Sequence, residues 1–431
     1  MRCYAAVVVL VGALGACASE PAANHAATSV PRTAQPISTT VMSSSPPPAV
    51  PTSVRLPAEG DIRRSLDTVS VNCTGERESK VRKASVFDAG AGRFVDVPAP
   101  PVSARAELID YFCAIIGHGQ QVRAVYVVST RTPAEGLKPE TSETSVVSFA
   151  LGASTPATRA AFPGGRSASQ SVDRLFPTNA GLLVTGTRLS MVLDPETLLP
   201  KWQADFRPEY VTDDAVAHSI DDGVRFVSVE TGQEIGRFDN GVLVRESSGH
   251  VMENVPQGLR GGFVVQRTAY PDNSAWYFDT RTNQLIGPLA QDGSAVRATV
   301  ADGNRLMVYG GGIPAQLLRI HDLSSHTVPV DKVGVAAQGL NIENAYMAGS
   351  YLYLVTREYG RSVVDVESNE KVADSWSLLP MDRVGDWRLV IDGPKITNGY
   401  AKCFDYLMDY LCYERGRLVR TVNGNYPGPW Y

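Results

Sequence analysis

Several residues of this chain are of the types that bind metal ions. His321, Asp322 and His326 lie close together and could supply the nitrogen and oxygen ligands of a zinc site. The pairs Asp213–Asp214 and Asp221–Asp222 could supply the oxygen ligands that calcium prefers. Against both sites, Asp322 also fits the first position of a turn, and the aspartate pairs lack the spacing of an EF-hand. We therefore predict no metal site.

Phosphate and nucleophilic chemistry have less support. Gly310–Gly312 could cradle a phosphate, but Ile313–Pro314 leads back into a strand, whereas a phosphate loop opens a helix. The sequence contains no G-x-S-x-G, S-x-x-K or H-E-x-x-H motif. We predict no catalytic residue and no cofactor. An enzyme stays open as the alternative, because an active site can be assembled from distant loops.

Four of the six cysteines have the arrangement of disulfide-bonded residues in an exported chain. Cys73 and Cys113 lie in one region and Cys403 and Cys412 in another. No C-x-x-C motif indicates a redox or metal site. Four cysteines allow three connectivities, and proximity along the chain favours Cys73–Cys113 together with Cys403–Cys412. Cys3 lies in an N-terminal segment with a different purpose.

The N-terminus has the three parts of a secretory signal. Arg2 supplies the positive charge, Ala5–Ala13 form a short apolar segment, and small residues follow it. Leu14–Cys17 then resembles the lipobox of bacterial lipoproteins. The resemblance implies cleavage before Cys17, acylation of its thiol with diacylglycerol, and anchoring on the extracytoplasmic face of the bacterial cell membrane. We predict a lipoprotein signal peptide over residues 1–16, and a plain secretory signal is the alternative.

The segment after Cys17 is rich in Ala, Ser, Thr and Pro. Residues 18–57 contain no aromatic residue and only three full charges. Such a segment cannot bury enough apolar surface to offset the entropy lost on ordering, so it is predicted to be disordered. The domains predicted are therefore a lipidated tether over 17–57 and a folded domain over 58–431.

Composition excludes one class of partner. Hydrophobic residues make up 43% of the 431 residues and charged residues 20%, so the chain can bury a large core. The formal net charge is −5, spread along the chain. A nucleic-acid-binding protein usually carries a basic face, so we predict no nucleic-acid partner.

A repeat organises the folded part. Each unit has a β-rich run, then Asp or Ser, two residues, Thr or Ser, a turn, and a second apolar run. The Asp or Ser of each unit fits position i of a type I turn, where its side chain accepts a hydrogen bond from the backbone just ahead. These positions are Asp194, Ser228, Asp279, Asp322 and Asp365.

The spacing of this repeat predicts an all-β fold. A period near 43 residues with about four strands a unit matches β-propeller blades. Further hairpins are predicted at 84–97, 145–154 and 409–420. We predict a β-propeller of seven blades, a number that sharing of one blade between the two termini would favour, with eight blades as the alternative. Two tandem β-sandwiches are the other alternative, and Ala104–Ile116 is the best candidate for a helix.

The repeat also resembles a known family. Ser228–Gly232 and Asp194–Trp202 are similar to the PQQ-like, WD-repeat-type propeller repeat, which has Asp-x-x-Thr-Gly followed by an aromatic residue. The resemblance covers about residues 180–380 and implies propeller blades. Members of that superfamily include quinone dehydrogenases and an envelope lipoprotein that helps to assemble outer-membrane proteins.

Taken together, the sequence predicts a membrane-anchored lipoprotein of the bacterial cell envelope. Its propeller would be a scaffold that binds an envelope protein or ligand, and the membrane would be contacted through the lipid on Cys17. The alternative is an exported propeller enzyme, either a quinone-dependent dehydrogenase or a hydrolase.

Overall fold

A computed structural model describes most of the folded part of the chain. The described residues are 52–57, 60–163, 172–243, 262–267, 275–290, 296–301, 305–310, 317–322, 330–332, 342–356, 360–392, 395–396, 403–406, 409–412 and 415–421. The chain divides into two units, Met1–Ala49 and Val50–Tyr431, and the described residues lie in the second. The predictions for residues 1–16, for Cys17 and for the tether up to residue 51 concern the part outside the described residues.

Among the described residues, the regular secondary structure consists of strands and one short 3-10 turn at Gly119–Gln121. Sheet 1 comprises β2 (Ile62–Ser65), β3 (Thr68–Val71), β4 (Ala84–Asp88) and β5 (Arg93–Val97). Sheet 2 comprises β6 (Glu107–Ile116), β7 (Arg123–Thr132), β8 (Thr141–Ala150) and β9 (Thr158–Ala161). Sheet 3 comprises β10 (Arg174–Thr178), β11 (Gly181–Gly186), β12 (Leu189–Leu193) and β13 (Pro200–Ala204). Sheet 4 comprises β14 (Tyr210–Val211), β15 (Ala215–Ile220), β16 (Gly223–Ser228) and β17 (Glu234–Asp239).

The second half of the chain repeats this pattern. Sheet 5 comprises β18 (Gly241–Leu243), β19 (Gly262–Arg267), β20 (Ala275–Asp279) and β21 (Gln284–Ala290). Sheet 6 comprises β22 (Val296–Ala301), β23 (Arg305–Gly310), β24 (Leu317–Asp322) and β25 (Val330–Lys332). Sheet 7 comprises β26 (Ile342–Ala348), β27 (Tyr351–Thr356), β28 (Gly360–Asp365) and β29 (Glu370–Ala373).

Sheet 8 joins the two ends of the folded unit. It comprises β30 (Leu378–Val384), β31 (Trp387–Asp392), β35 (Arg415–Arg420) and β1 (Ser53–Arg55), paired in that order. Between β31 and β35 the chain forms a small sheet of β32 (Lys395–Ile396), β33 (Cys403–Tyr406) and β34 (Asp409–Cys412). Within the described ranges there are thus eight four-stranded antiparallel sheets, which matches the eight-blade alternative. The prediction of an all-β propeller is confirmed, and so is the sharing of one sheet by the termini.

The first strands of neighbouring sheets lie side by side, as β6 does with β2 and β10, and β26 with β22 and β30. Burial then falls toward the outer strand of a sheet. In sheet 3, every residue of β11 is buried, whereas β13 is largely exposed. A sheet covered on both faces by its neighbours needs apolar residues on both faces, which explains the continuous run Gly181–Gly186.

The hydrophobic core is divided among the gaps between consecutive sheets. One cluster fills the gap between sheets 2 and 3, and others lie between sheets 3 and 4 and between sheets 4 and 5. Another cluster joins sheets 7, 8 and 1 and closes the ring. There the buried Trp387 meets Phe87 edge-on, with ring centroids 5.1 Å apart, and its Nε1 donates to the carbonyl of Ala89 at 2.9 Å.

The N-terminal boundary of the folded unit lies earlier than composition predicts. Val54 lies opposite Leu418 in the β1–β35 ladder, and the amide of Leu56 donates to Gly416 at 2.9 Å. Leu56 is only 8% exposed and belongs to the cluster that closes the ring. The predicted boundary at residue 58 is therefore corrected, because β1 finds its partner far downstream and composition alone cannot reveal it.

The disulfide predicted between Cys73 and Cys113 is present. It joins the segment after β3 to β6 and therefore links sheets 1 and 2. The same segment continues along β6, since Gly75 donates to the carbonyl of Cys113 at 2.7 Å and Glu78 exchanges two backbone hydrogen bonds of 2.8 Å with Tyr111. Leu175 of β10 donates to Gly75 at 2.9 Å. The segment thus bridges the first strands of sheets 2 and 3.

The second predicted disulfide stays a prediction. Cys403 and Cys412 lie directly opposite each other in the β33–β34 ladder, while their side chains lie outside the described part. The hairpin predicted at 409–420 does not form, because β34 pairs with β32 and β33 whereas β35 pairs with β31 and β1.

The helix candidate Ala104–Ile116 is also corrected, since Glu107–Ile116 form β6. The last seven residues of β6 are all buried. A helix on the surface of a domain buries one face only, whereas a strand between two packed sheets buries both. The aromatic and β-branched residues of this segment fit the strand.

Candidate functional site

One end of the sheets collects two kinds of turn. Because the strands of each sheet follow one another in antiparallel order, the turn between the first and second strands and the turn between the third and fourth strands lie at the same end. We call these the AB turns and CD turns, and the surface that they form the turn face. The connection between the second and third strands lies at the opposite end.

The CD turns follow the repeat that the sequence revealed. Asp194 Oδ1 accepts from the backbone amides of Glu196 and Thr197 at 3.0 and 2.9 Å. These bonds lower the pKa of the Asp194 carboxyl. Ser228, Asp279 and Asp365 accept from the amide two residues ahead in the same way. The turn after Asp322 lies outside the described residues.

A tryptophan locks the CD turn of sheet 4 to sheet 3. Trp202 of β13 donates its Nε1 hydrogen to the carbonyl of Val229 at 2.7 Å. Its ring lies against Gly232, where an added Cβ would be only 2.7 Å from the indole. Gly232 also has φ +68°, a conformation that favours glycine. The pattern of turn, glycine and aromatic residue therefore has a packing role here.

The AB turns of four consecutive sheets are joined by a chain of side-chain hydrogen bonds. Asp67 Oδ2 lies 2.6 Å from Nδ1 of His118, and Nε2 of His118 lies 2.8 Å from Oδ1 of Asn179. Asn179 Nδ2 then donates to Oδ1 of Asp214 at 2.6 Å. A backbone bond of 2.8 Å from the Asn179 amide to the Asp213 carbonyl runs beside it. These hydrogen bonds hold the AB turns of sheets 1 to 4 in one fixed arrangement.

The direction of these bonds defines the role of His118. Since Asn179 uses its amide nitrogen on Asp214, its oxygen faces the imidazole, and Asp67 presents an acceptor to the other ring nitrogen. His118 thus lies between two side-chain oxygens, one at each ring nitrogen, and connects the turn of Asp67 to the turn of Asn179.

A cleft of about 510 Å³ opens in the turn face beside Asn179 and Asp214, the last two residues of this series of hydrogen bonds. It is formed by the turns of sheets 3, 4 and 5. Apolar contacts come from Ala180, Val229 and Ile235. Polar groups come from Asn179, Asp214, Ser228, Glu230, Thr280, Arg281 and Asn283. A few polar groups converging on a partly apolar hollow are typical of binding sites.

Two ion pairs shape the walls of the cleft. Arg281 contacts the buried carboxylate of Asp279 with Nε at 3.0 Å and a terminal nitrogen at 3.2 Å. The hydrogen bond to Asp279 raises the pKa of the Arg281 guanidinium and keeps it charged. Glu230 pairs with Nζ of Lys201 at 3.1 Å. Both charged side chains are thus held in place before any ligand arrives.

One wall group is left unsatisfied. Thr280 is 8% exposed, and among the described residues its Oγ1 has no hydrogen-bond partner. A buried hydroxyl without a partner costs about 1–3 kcal/mol. Such a group at the edge of a cleft is a place where a ligand atom can recover that energy.

The structure separates the aspartate pairs proposed for calcium. Asp213–Asp214 lie in the AB turn of sheet 4, whereas Asp221–Asp222 lie in the turn between β15 and β16 at the opposite end of that sheet. Across the described ranges no three His, Cys, Asp or Glu side chains lie close enough together to hold a metal ion. Side chains of the proposed His321, Asp322 and His326 site, and the loop after Gly310, are outside the described residues.

The cleft residues escaped sequence reasoning because their turns are short and far apart in the chain. A weak signal exists, since Thr178-Asn179-Ala180-Gly181 and Thr212-Asp213-Asp214-Ala215 share a pattern. In both turns the threonine hydroxyl donates to the carbonyl three residues ahead, at 2.9 and 3.2 Å. A threonine followed directly by Asn or Asp, with Gly or Ala three residues after the threonine, would have pointed to these AB turns.

Two comparisons with known sequences and one with known structures complete the description. No protein-family model and no curated protein sequence matches the chain. BamB from Moraxella catarrhalis has a similar structure, 9% identical, with a TM-score of 0.40 over 86% of this chain and 99% of that chain. The computationally designed Ika8 protein is 12% identical, with a TM-score of 0.38 over 86% of this chain and 96% of that chain. A eukaryotic initiation factor is 11% identical, with a TM-score of 0.41 over 76% of this chain and 79% of that chain.

Since these TM-scores lie below 0.5, the assignment of the fold rests on the strand pairing itself. No helix among the described residues is long and apolar enough to cross a membrane.

Proposed function

We propose that this chain is a lipid-anchored protein of the bacterial cell envelope whose propeller binds a partner in the cleft of the turn face. In this proposal the lipid on Cys17 holds the protein at the membrane, and the tether gives the propeller reach. The ring of sheets supplies a rigid frame for the binding turns.

The observation that carries the binding role is the cleft itself. Its walls come from turns of three consecutive sheets, and the hydrogen bonds from Asp67 to Asp214 fix the AB turns of sheets 3 and 4 before a ligand binds. Rigid binding groups lose less entropy on association, so a preorganised cleft gains affinity. Its volume of about 510 Å³ falls within the range of about 300–1,000 Å³ typical of ligand sites.

The lipid anchor is supported by the sequence alone. An apolar segment too short to span a bilayer ends at Leu14–Cys17, and an Ala-, Ser-, Thr- and Pro-rich segment follows. Stable anchoring needs more than one acyl chain, and a diacylglycerol on Cys17 meets that need.

Cell fractionation tests the anchor. We expect the wild type and Cys3→Ala to remain in the membrane fraction, because Cys3 would leave with the signal peptide. We expect Cys17→Ala to appear in the soluble fraction. Retention of Cys17→Ala in the membrane at the wild-type level would show that the anchor is something else.

Site-specific photo-crosslinking in cells tests the binding face. A photoreactive amino acid replaces the exposed Thr231, in the CD turn beside the cleft, or Leu137, which is fully exposed at the opposite end of sheet 2. We expect a discrete adduct from position 231 and none of the same mass from position 137. The same adduct from both positions, or adducts from position 137 alone, would refute binding at the turn face.

A further inference from the structure

We propose that the cleft receives the ammonium group of a lysine side chain from a basic segment of a partner protein. The inference rests on the proposed binding function and adds the chemistry of the ligand. Three observations support it: the charge left in the cleft, an unsatisfied hydroxyl in its wall, and the charge of the surrounding face.

Asp214 carries the charge that the cleft leaves unbalanced. Arg281 is paired with the buried Asp279, and Glu230 is paired with Lys201. In the part of the chain that the structure describes, Asp214 forms no ion pair within 4 Å and accepts from the uncharged amide of Asn179, although its charge also helps to raise the pKa of Arg281. The cleft therefore has a net negative charge centred on Asp214, which a cation would balance.

Thr280 supplies the second, independent observation. Its side chain is more than nine-tenths buried in the cleft wall, and its hydroxyl lacks a partner among the described residues. An ammonium group has three hydrogens to donate and is compact, so it can serve a hydroxyl and a carboxylate from different turns. A ligand that donates to both Thr280 and Asp214 satisfies the orphan hydroxyl and the unpaired carboxylate together.

The turn face around the cleft is acidic. Five of the sheets bring solvent-accessible carboxylates to it, namely Asp67, Asp194, Asp214, Asp365 and Asp386. Between the strands, the described AB and CD turns contain no lysine and Arg281 as the one arginine, while Arg93, Arg123 and Lys201 lie at the strand ends beside these turns. The opposite end has a mixed charge, since the connection over 72–83 alone carries two arginines and two lysines. An acidic face attracts and orients a basic segment, so we commit to a protein lysine.

Binding of defined peptides to the full chain carrying Cys17→Ala tests the inference. The probes are acetylated and amidated (Gly-Lys)4, (Gly-Gln)4 and (Gly-Glu)4, and the assay is isothermal titration calorimetry at low ionic strength. We expect the lysine peptide to bind at least tenfold more tightly than the glutamine peptide and the glutamate peptide to show no binding. We expect affinity for the lysine peptide to fall as sodium chloride is raised.

A matched pair of variants locates the binding. Asp214→Asn removes the cleft charge with little change in shape, and we expect it to weaken the lysine peptide at least tenfold. Asp222→Asn makes the same change at the opposite end of sheet 4, where Asp222 pairs with Arg237. We expect this control to change affinity less than twofold. Equal affinity of Asp214→Asn and wild type would overturn the inference.

Thr280→Val separates binding from folding. Valine matches threonine in shape but lacks the hydroxyl, so we expect the melting temperature to stay the same or rise, because an unsatisfied buried group is removed. We expect affinity for the lysine peptide to fall at least threefold. Affinity that is unchanged in this variant would show that the hydroxyl does not contact the ligand.

The two proposals fail in different ways. If position 231 crosslinks a partner but the lysine peptide does not bind, the cleft face binds partners and the lysine assignment is wrong. If the glutamate peptide binds more tightly than the lysine peptide, the assignment is also wrong. If position 231 yields no adduct and no peptide binds, both proposals are refuted.

Discussion

Replacement of Leu56 by alanine tests whether the folded unit of the chain includes residue 56. Composition places residue 56 in a disordered tether, where the substitution would be neutral. The structure buries Leu56 in the cluster that joins sheets 7, 8 and 1 and bonds its amide to Gly416. The same substitution thus gives opposite results under the two descriptions.

The expected size follows from burial. Leu→Ala removes three carbon atoms, worth roughly 0.8 kcal/mol each when buried, and the cavity left behind adds to the loss. We expect Leu56→Ala to lower the free energy of unfolding by about 3 kcal/mol. With an unfolding entropy of about 2.1 cal/mol/K per residue over about 380 residues, the melting temperature falls by about 4 °C.

Thermal unfolding followed by circular dichroism, in the Cys17→Ala background, measures this shift. Leu199→Ala is the matched control, since Leu199 is 57% exposed and its loss is expected to change stability by no more than about 0.5 kcal/mol. If Leu56→Ala and Leu199→Ala melt within about 1 °C of each other, residue 56 does not belong to the folded unit and the closure described above is incorrect.

Two further predictions concern a close contact and a titrating group. Gly232→Ala should destabilise the chain more than Gly136→Ala by about 1–3 kcal/mol, because both glycines have positive φ but only Gly232 touches the ring of Trp202; equal losses in chemical denaturation would refute the packing role. Burial, and secondly Arg225, lower the pKa of His218 below its usual 6.5. The folded chain then binds fewer protons than the unfolded chain, so stability should fall as pH drops below about 6.5, toward the folded pKa. His218→Gln should reduce that part of the fall in melting temperature between pH 7.5 and 5.5, and an unchanged pH dependence would contradict it.

The sequence predicted those features that depend on neighbours in the chain. Asp194 and Ser228 bind backbone amides two residues ahead, so their turns could be recognised wherever the motif recurs. The Cys73–Cys113 pair followed from proximity in the same way. Local hydrogen bonds leave a local pattern, and the propeller could be inferred because such patterns repeat.

Features that depend on distant partners could not be predicted. β1 is three residues long and has its partner at Arg415–Arg420, so its composition resembles that of the segment before it. β6 resembled a helix because the sheets that cover both its faces are not visible in its own sequence. The cleft draws Asp214 and Arg281 from turns nearly seventy residues apart, and only the ring brings them together.

Pairing of β1 with β35 sets the order in which the molecule can be completed. Ribosomes make β1 first and β35 almost last, so β1 has no partner until nearly the whole chain exists. Bringing ends about 360 residues apart together costs roughly 5 kcal/mol in loop-closure entropy. Ring closure is therefore a late step of folding, and a chain that stops before Arg415 presents an open strand edge to other molecules.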